Sequence, residues 1–169
     1  MSNMFVPPGE DPRDPSPVRA GELETLLGFL RWQRQTLELK CSGVPASKLA
    51  ARMVQPSTLS LIGLVRHLSD AERHWFRWVH AGEDAPKRYP DDADFDGAAE
   101  ASVDQAWAVW REEIGYAERY VAEHPDLDAV AAREPVSLRW VLVHLIEEYA
   151  RHNGHADLIR QRVDGRTGL

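Results

Sequence analysis

Glu148-Tyr149-Ala150-Arg151-His152-Asn153-Gly154-His155 places one carboxylate and two imidazoles on a single face of an expected helix. A helix advances about 100° per residue, so Glu148 and His152 stand roughly 40° apart and roughly 6 Å along the axis. His155 falls on the same face about one turn further on, and His144 about one turn earlier. A carboxylate and an imidazole four residues apart can hold a divalent cation from two sides. A third ligand then has to come from another helix, and His67 in Gly63-Leu64-Val65-Arg66-His67-Leu68 is the best candidate. Four metal-competent side chains on one stripe make a poor core seam unless they do chemistry. The alternative is a buried hydrogen-bond network in which Glu148 pairs with an arginine such as Arg151 or Arg139.

The pattern around this stretch is helical throughout. Ser137 caps the helix that carries it, which has Trp140, Val143, Leu145, Tyr149 and Leu158 as its apolar positions, runs to about Val163 and closes at Asp164-Gly165. Working backwards, Ser102 or Asp104 caps a helix with Val103, Trp107, Trp110 and Ile114 inward, ended by His124-Pro125. Ser60 caps another, with Leu61, Leu64, Val65, Leu68, Trp75 and Val79 on one face and Arg66, Arg73 and Arg77 as a solvated stripe opposite. Ser16-Pro17 opens the first helix, which Gly43 and Pro45 stop, and Ala46 to Met53 has room for a short extra one. No segment alternates as a strand does. The reading is all-α, a four-helix bundle over residues 16–169 as a single domain, behind a loose proline-rich arm at residues 1–15.

Composition narrows the function. The chain has 169 residues, 43% of them hydrophobic, and a net charge of −7, which argues against a general nucleic-acid binder because such a protein needs a basic face. No apolar run reaches the ~20 residues of a membrane span, and the N-terminus lacks a secretory pattern, so a cytoplasmic location is the default. Cys41 is the only cysteine and reads as a small buried hydrophobe rather than a nucleophile. Residues 82–101 are rich in Asp and Glu without periodicity. They read as a solvated loop, and they lack the glycine and terminal glutamate of an EF-hand. Of the other histidines, His80 and His124 read as structural or solvated groups near helix ends and His74 as packing beside Trp78.

Two longer stretches carry a resemblance. Thr58-Leu59-Ser60-Leu61-Ile62-Gly63-Leu64-Val65-Arg66-His67-Leu68 with Glu72-Arg73-His74-Trp75-Phe76 is one, and His144 through Arg160 is the other. Together they resemble the DinB-like superfamily of metal-binding four-helix bundles over roughly residues 17–163. The resemblance implies an up-down-down-up bundle, a homodimer, and one metal held by His67, Glu148 and His152. Where many relatives carry His-x-x-x-His, Glu148 takes the first place, as in the similar mycothiol-dependent maleylpyruvate isomerases. His155 stands where many relatives have glutamine, which leaves it and His144 as outer-sphere candidates.

The better-understood members of that superfamily are enzymes using a low-molecular-weight thiol such as mycothiol, bacillithiol or glutathione. The resemblance therefore implies a thiol-dependent S-transferase or isomerase with a small electrophile and a thiol cosubstrate as partners. Two imidazoles and a carboxylate suit zinc, and nickel or iron would accept them too. With no cysteine near either motif, the sulfur has to come from outside, and Arg66, Arg151 or Arg160 are candidates for meeting an anionic substrate. The alternatives are a metal-dependent hydrolase, which needs no thiol, and a non-catalytic metal-binding or stress-related protein.

Overall fold

Ser60 and Ser137 nucleate the two helices that build the site. The Ser60 hydroxyl accepts from Gly63 N at 3.1 Å and that of Ser137 from Trp140 N at 3.2 Å, each satisfying an amide that the first helical turn leaves without a partner. In the computed structural model, which describes residue 6 and residues 9–167, six α-helices follow: α1 Glu22–Cys41, α2 Ala46–Leu49, α3 Leu61–Glu72, α4 Ala93–Asp96, α5 Val103–Glu123 and α6 Leu138–Asp164. A π-helical stretch, Arg73–His80, prolongs α3, and a 3₁₀ turn, Glu100–Ser102, leads into α5. Gly165, at φ 77°, ends α6 in the left-handed conformation that glycine adopts without strain.

Contacts along the long helices give their directions. Glu22 meets Arg139, and further along Lys40 meets Asp157, so α1 and α6 run parallel. His67 faces His152 and Trp75 faces Trp140, so α3 and α6 run antiparallel. Arg73 meets Glu113 and His80 meets Tyr120, so α5 runs parallel to the α3 assembly. The result is an up-down-down-up bundle. Leu30 and Leu37 of α1, Leu64 and Leu68 of α3, Trp110 of α5 and Leu142, Leu145 and Tyr149 of α6 fill its centre.

Three sequence expectations change. First, α1 begins after Gly21, not at Ser16-Pro17. The preceding segment folds back along the helix: Arg13 lies over the Trp32 ring at 4.0 Å, Asp14 N donates to Gln35, and Pro17 packs on Gly28, where an added Cβ would stand 2.4 Å from its ring. The rest of the expected arm, residues 1–5 and 7–8, lies outside the described residues. Second, the buried stripe of α6 is Leu138, Val141, Leu142, Leu145, Tyr149, His152, Ala156 and Ile159. Those three- and four-residue steps leave Trp140, Val143 and Leu158 exposed.

Third, Arg66, Arg73 and Arg77 are not a solvated stripe. The Arg66 guanidinium donates to Gly97 O and lies over Tyr89, while Arg73 and Arg77 clasp the two oxygens of Glu113 at 2.8 and 2.6 Å. Glu113 is 1% exposed, and a carboxylate that deep in the protein requires such partners.

Candidate metal centre

α3 and α6 cross with His67 opposite Glu148 and His152. His152 Nε2 lies 3.4 Å from Glu148 Oε2, and His67 Nε2 lies 3.9 Å from the same oxygen. The three ligand atoms all fall within 4.8 Å of one another. Donors that each sit about 2.0–2.2 Å from one tetrahedral ion stand roughly 3.4 Å apart, so the Glu148–His152 spacing fits and the His67–Glu148 spacing is a little wider. The other Glu148 oxygen accepts from Arg151 Nη1 at 3.1 Å, which leaves Oε2 turned to the imidazoles. Arg139, the other arginine considered for Glu148, pairs instead with Glu22 and Asp128.

The far nitrogen of each imidazole is engaged too. His67 Nδ1 is 2.9 Å from Asp94 Oδ2, and His152 Nδ1 is 3.2 Å from His155 Nδ1. Burial first, then the neighbouring imidazoles, pushes the His152 pKa down to about 4, so the ring is neutral at pH 7. A neutral His152 that donates from Nδ1 to His155 keeps its Nε2 lone pair toward Glu148, the tautomer a cation requires. The donor set therefore suits a divalent ion in type, with Glu148 and His152 at a fitting spacing and His67 standing slightly further off.

Residues 25–165 match the family model of mycothiol-S-transferase. The chain belongs to that family. No curated protein sequence matches it. The mycothiol-S-transferase match, to a DinB-like family, runs from α1 to the end of α6 and so takes in every residue of the centre.

Beside the centre of this mycothiol-S-transferase-family protein lies an open cleft of about 270 Å³, lined among others by His67, Asp94, Glu148, Trp75 and His144. His144 stacks on Trp140 with centroids 4.8 Å apart, and its Nε2 is 3.9 Å from Glu148 Oε1. With Glu147 and Glu148 it forms a second group of possible ligands, but all three lie on α6 and Glu147 is exposed and paired with Arg151. His74 stands edge-on to Trp75 at 5.0 Å and lines a neighbouring cavity together with Trp78.

His80 is the structural rather than the solvated kind: it is buried, with Nδ1 2.9 Å from the Tyr120 hydroxyl, and burial lowers its pKa. His124 stacks on Tyr120. None of the three candidate arginines lines the cleft. Arg66 is spent on Gly97, Arg151 on Glu147 and Glu148, and Arg160, 1% exposed, on the carbonyls of Lys40 and Ser42.

Asp94 is the site residue that sequence reasoning missed. Part of the expected solvated loop is α4, and Phe95 of α4 stacks on His67 with centroids 5.3 Å apart. Gly63 clears the space, since a Cβ there would stand 2.9 Å from Phe95 Cδ1. A phenylalanine set between Asp94 and Asp96 was the available signal that this acidic segment docks on the bundle.

Proposed function

We propose that this protein joins mycothiol through its sulfur to a small electrophile, the thiol losing its proton as the new carbon–sulfur bond forms, with a divalent cation, zinc foremost, held by His67, Glu148 and His152. The family match over residues 25–165 carries the reading of S-transfer, and the meeting of two imidazole nitrogens with one carboxylate oxygen supports the metal. A divalent ion on two neutral ligands and one anionic ligand keeps positive charge and open positions, and so favours the thiolate form of a thiol beside it. Asp94 holds His67 in place, His155 holds His152, and Arg151 holds the second oxygen of Glu148. The chain offers no sulfur of its own here, because Cys41 is buried and its thiol pKa is pushed up to about 12 by burial. The nucleophile is therefore the cosubstrate, which reaches the centre through the open cleft.

The test has two parts. Metal content of the purified protein is compared with that of His67→Ala and His152→Ala, and turnover of a reactive electrophile is followed with and without mycothiol. Expected are near-stoichiometric metal in the parent, little in either variant, and turnover that requires both metal and thiol. Equal metal in all three overturns the ligand assignment. Turnover indifferent to added thiol points to hydrolysis by metal-activated water and overturns S-transfer.

A further inference from the structure

The cleft beside the metal centre does not end at His74. Asp70, His74 and Lys87 wall it on one side and also wall a second cavity of about 290 Å³, where Trp78, Ala85 and Pro86 complete much of the lining. The two spaces adjoin across those three residues. Each offers an aromatic surface, Trp75 against His144 in the first and Trp78, steadied by Arg133 at 4.0 Å, in the second.

The charges along this groove differ in how far they are already engaged. Both Asp70 oxygens accept backbone amides, from Arg88 at 2.8 Å and from Tyr89 at 2.9 Å. Asp94 is held by His67 and by Phe95 N, and Arg73 by Glu113 and Pro86 O. Lys87 is exposed, and its ammonium makes no hydrogen bond or close ion pair among the described residues, although its charge acts on Asp70 and His74 nearby. Its backbone is nevertheless fastened on both sides: Pro86 O takes Arg73 Nε at 2.8 Å, and the next two amides bind Asp70. A tethered backbone that presents a cation with no hydrogen-bonded partner where two aromatic-walled cavities meet suits an anion with a flat apolar body.

We propose that this junction is the electrophile's subsite and that it selects planar, unsaturated carboxylates. Lys87 takes the carboxylate, and Trp75 and Trp78 take the flat body. The role as electrophile rests on the S-transfer reading above; the binding does not.

The test uses 2-naphthoate, with neutral 2-naphthalenemethanol as control, titrated calorimetrically into the full chain as purified and after chelation of its metal. Lys87→Glu is expected to weaken naphthoate about tenfold and leave the alcohol unchanged. Trp78→Leu is expected to weaken both. Lys87 is an exposed side chain whose charge also favours the nearby Asp70 carboxylate, so the urea midpoint of the variant is measured beside that of the parent and Lys87→Gln is titrated as a second, milder variant. Naphthoate that fails to bind the parent overturns the subsite, as does equal binding to Lys87→Glu, or affinity that follows only the metal. Thiol-dependent turnover of iodoacetamide, measured in parallel, separates the two readings. If that turnover is absent while naphthoate binding depends on Lys87, S-transfer falls and the subsite stands.

Discussion

Asp94 touches no expected ligand atom, yet it decides where His67 Nε2 points, because its Oδ2 holds the ring by the other nitrogen at 2.9 Å. Carboxylates in this position fix ring orientation and raise ligand basicity, and their removal costs ten- to a hundredfold in metal affinity. Asp94→Asn is expected to lower zinc affinity by about that factor with the fold intact, as read by competition against a chromogenic chelator. An unchanged affinity would mean that packing alone orients His67. His152 sets a pH dependence of definite sign. Its folded pKa, about 4, lies below its ordinary 6.5, so the unfolded chain binds the extra proton and the native state loses stability as pH falls from 6.5 towards 4. In the metal-free protein, unfolding between those limits is expected to take up about one proton more in the parent than in His152→Gln, measured from the pH dependence of the urea midpoint. The Glu148 and His152 pairing was legible because one helix fixes their spacing. Asp94 was not, because it reaches His67 across a loop whose path no periodicity records.

Among the elements, the π-helical continuation of α3 was the least legible. A 3.6-residue wheel put Arg73 and Arg77 on water, whereas the wider turn of Arg73–His80, closed by Ala81 N on Phe76 O at 2.9 Å, brings both onto Glu113 of α5. The four long helices were legible from apolar stripes and from Ser60 and Ser137, whose caps work locally. The start of α1 was not, because the fold-back of residues 9–17 depends on contacts with Trp32, Gln35 and Gly28 further along the chain. Glu113 sits between Arg73 and Arg77 with Arg88 3.7 Å away, so its loss takes the carboxylate partner from the largely buried Arg73 and removes the closest one from Arg77, which keeps only the more exposed Glu83 and Glu112. Glu113→Ala is expected to cost about 3–5 kcal/mol of unfolding free energy in urea. Zinc affinity should change far less, since His67 lies in the earlier, regularly α-helical half of this assembly. A loss of metal as large as the loss of stability would show that the π-helical segment reaches the centre.

At the scale of the whole molecule, one buried chain of hydrogen bonds takes a residue from each long helix. Arg34 of α1 donates through Nε and Nη2 to the two oxygens of Glu72 of α3, both at 2.8 Å. Tyr149 of α6 donates to Glu72 Oε1 at 3.0 Å and accepts from Trp110 Nε1 of α5 at 2.9 Å. Burial first, then the Glu72 charge, holds the Tyr149 phenol well above its ordinary range, so it remains a donor. The topology was legible only through resemblance, since helix periods fix faces but not directions, and this network shows what holds the faces in register. Glu72 lies five residues beyond His67 and Tyr149 directly follows Glu148, so the Glu72–Tyr149 bond pins α3 against α6 beside the centre. Arg34→Met alone strands the Glu72 charge and is expected to cost about 3–5 kcal/mol. Arg34→Met with Glu72→Leu removes both charges and should recover most of that loss, because well-packed apolar pairs match or exceed buried ion pairs in stability. If the polar chain sets register, the double variant, although stable, binds zinc about tenfold more weakly than the parent, as a site loosened in its supporting contacts does. Parent-like affinity in a stable double variant would assign the register to apolar packing and leave the network no part in building the centre.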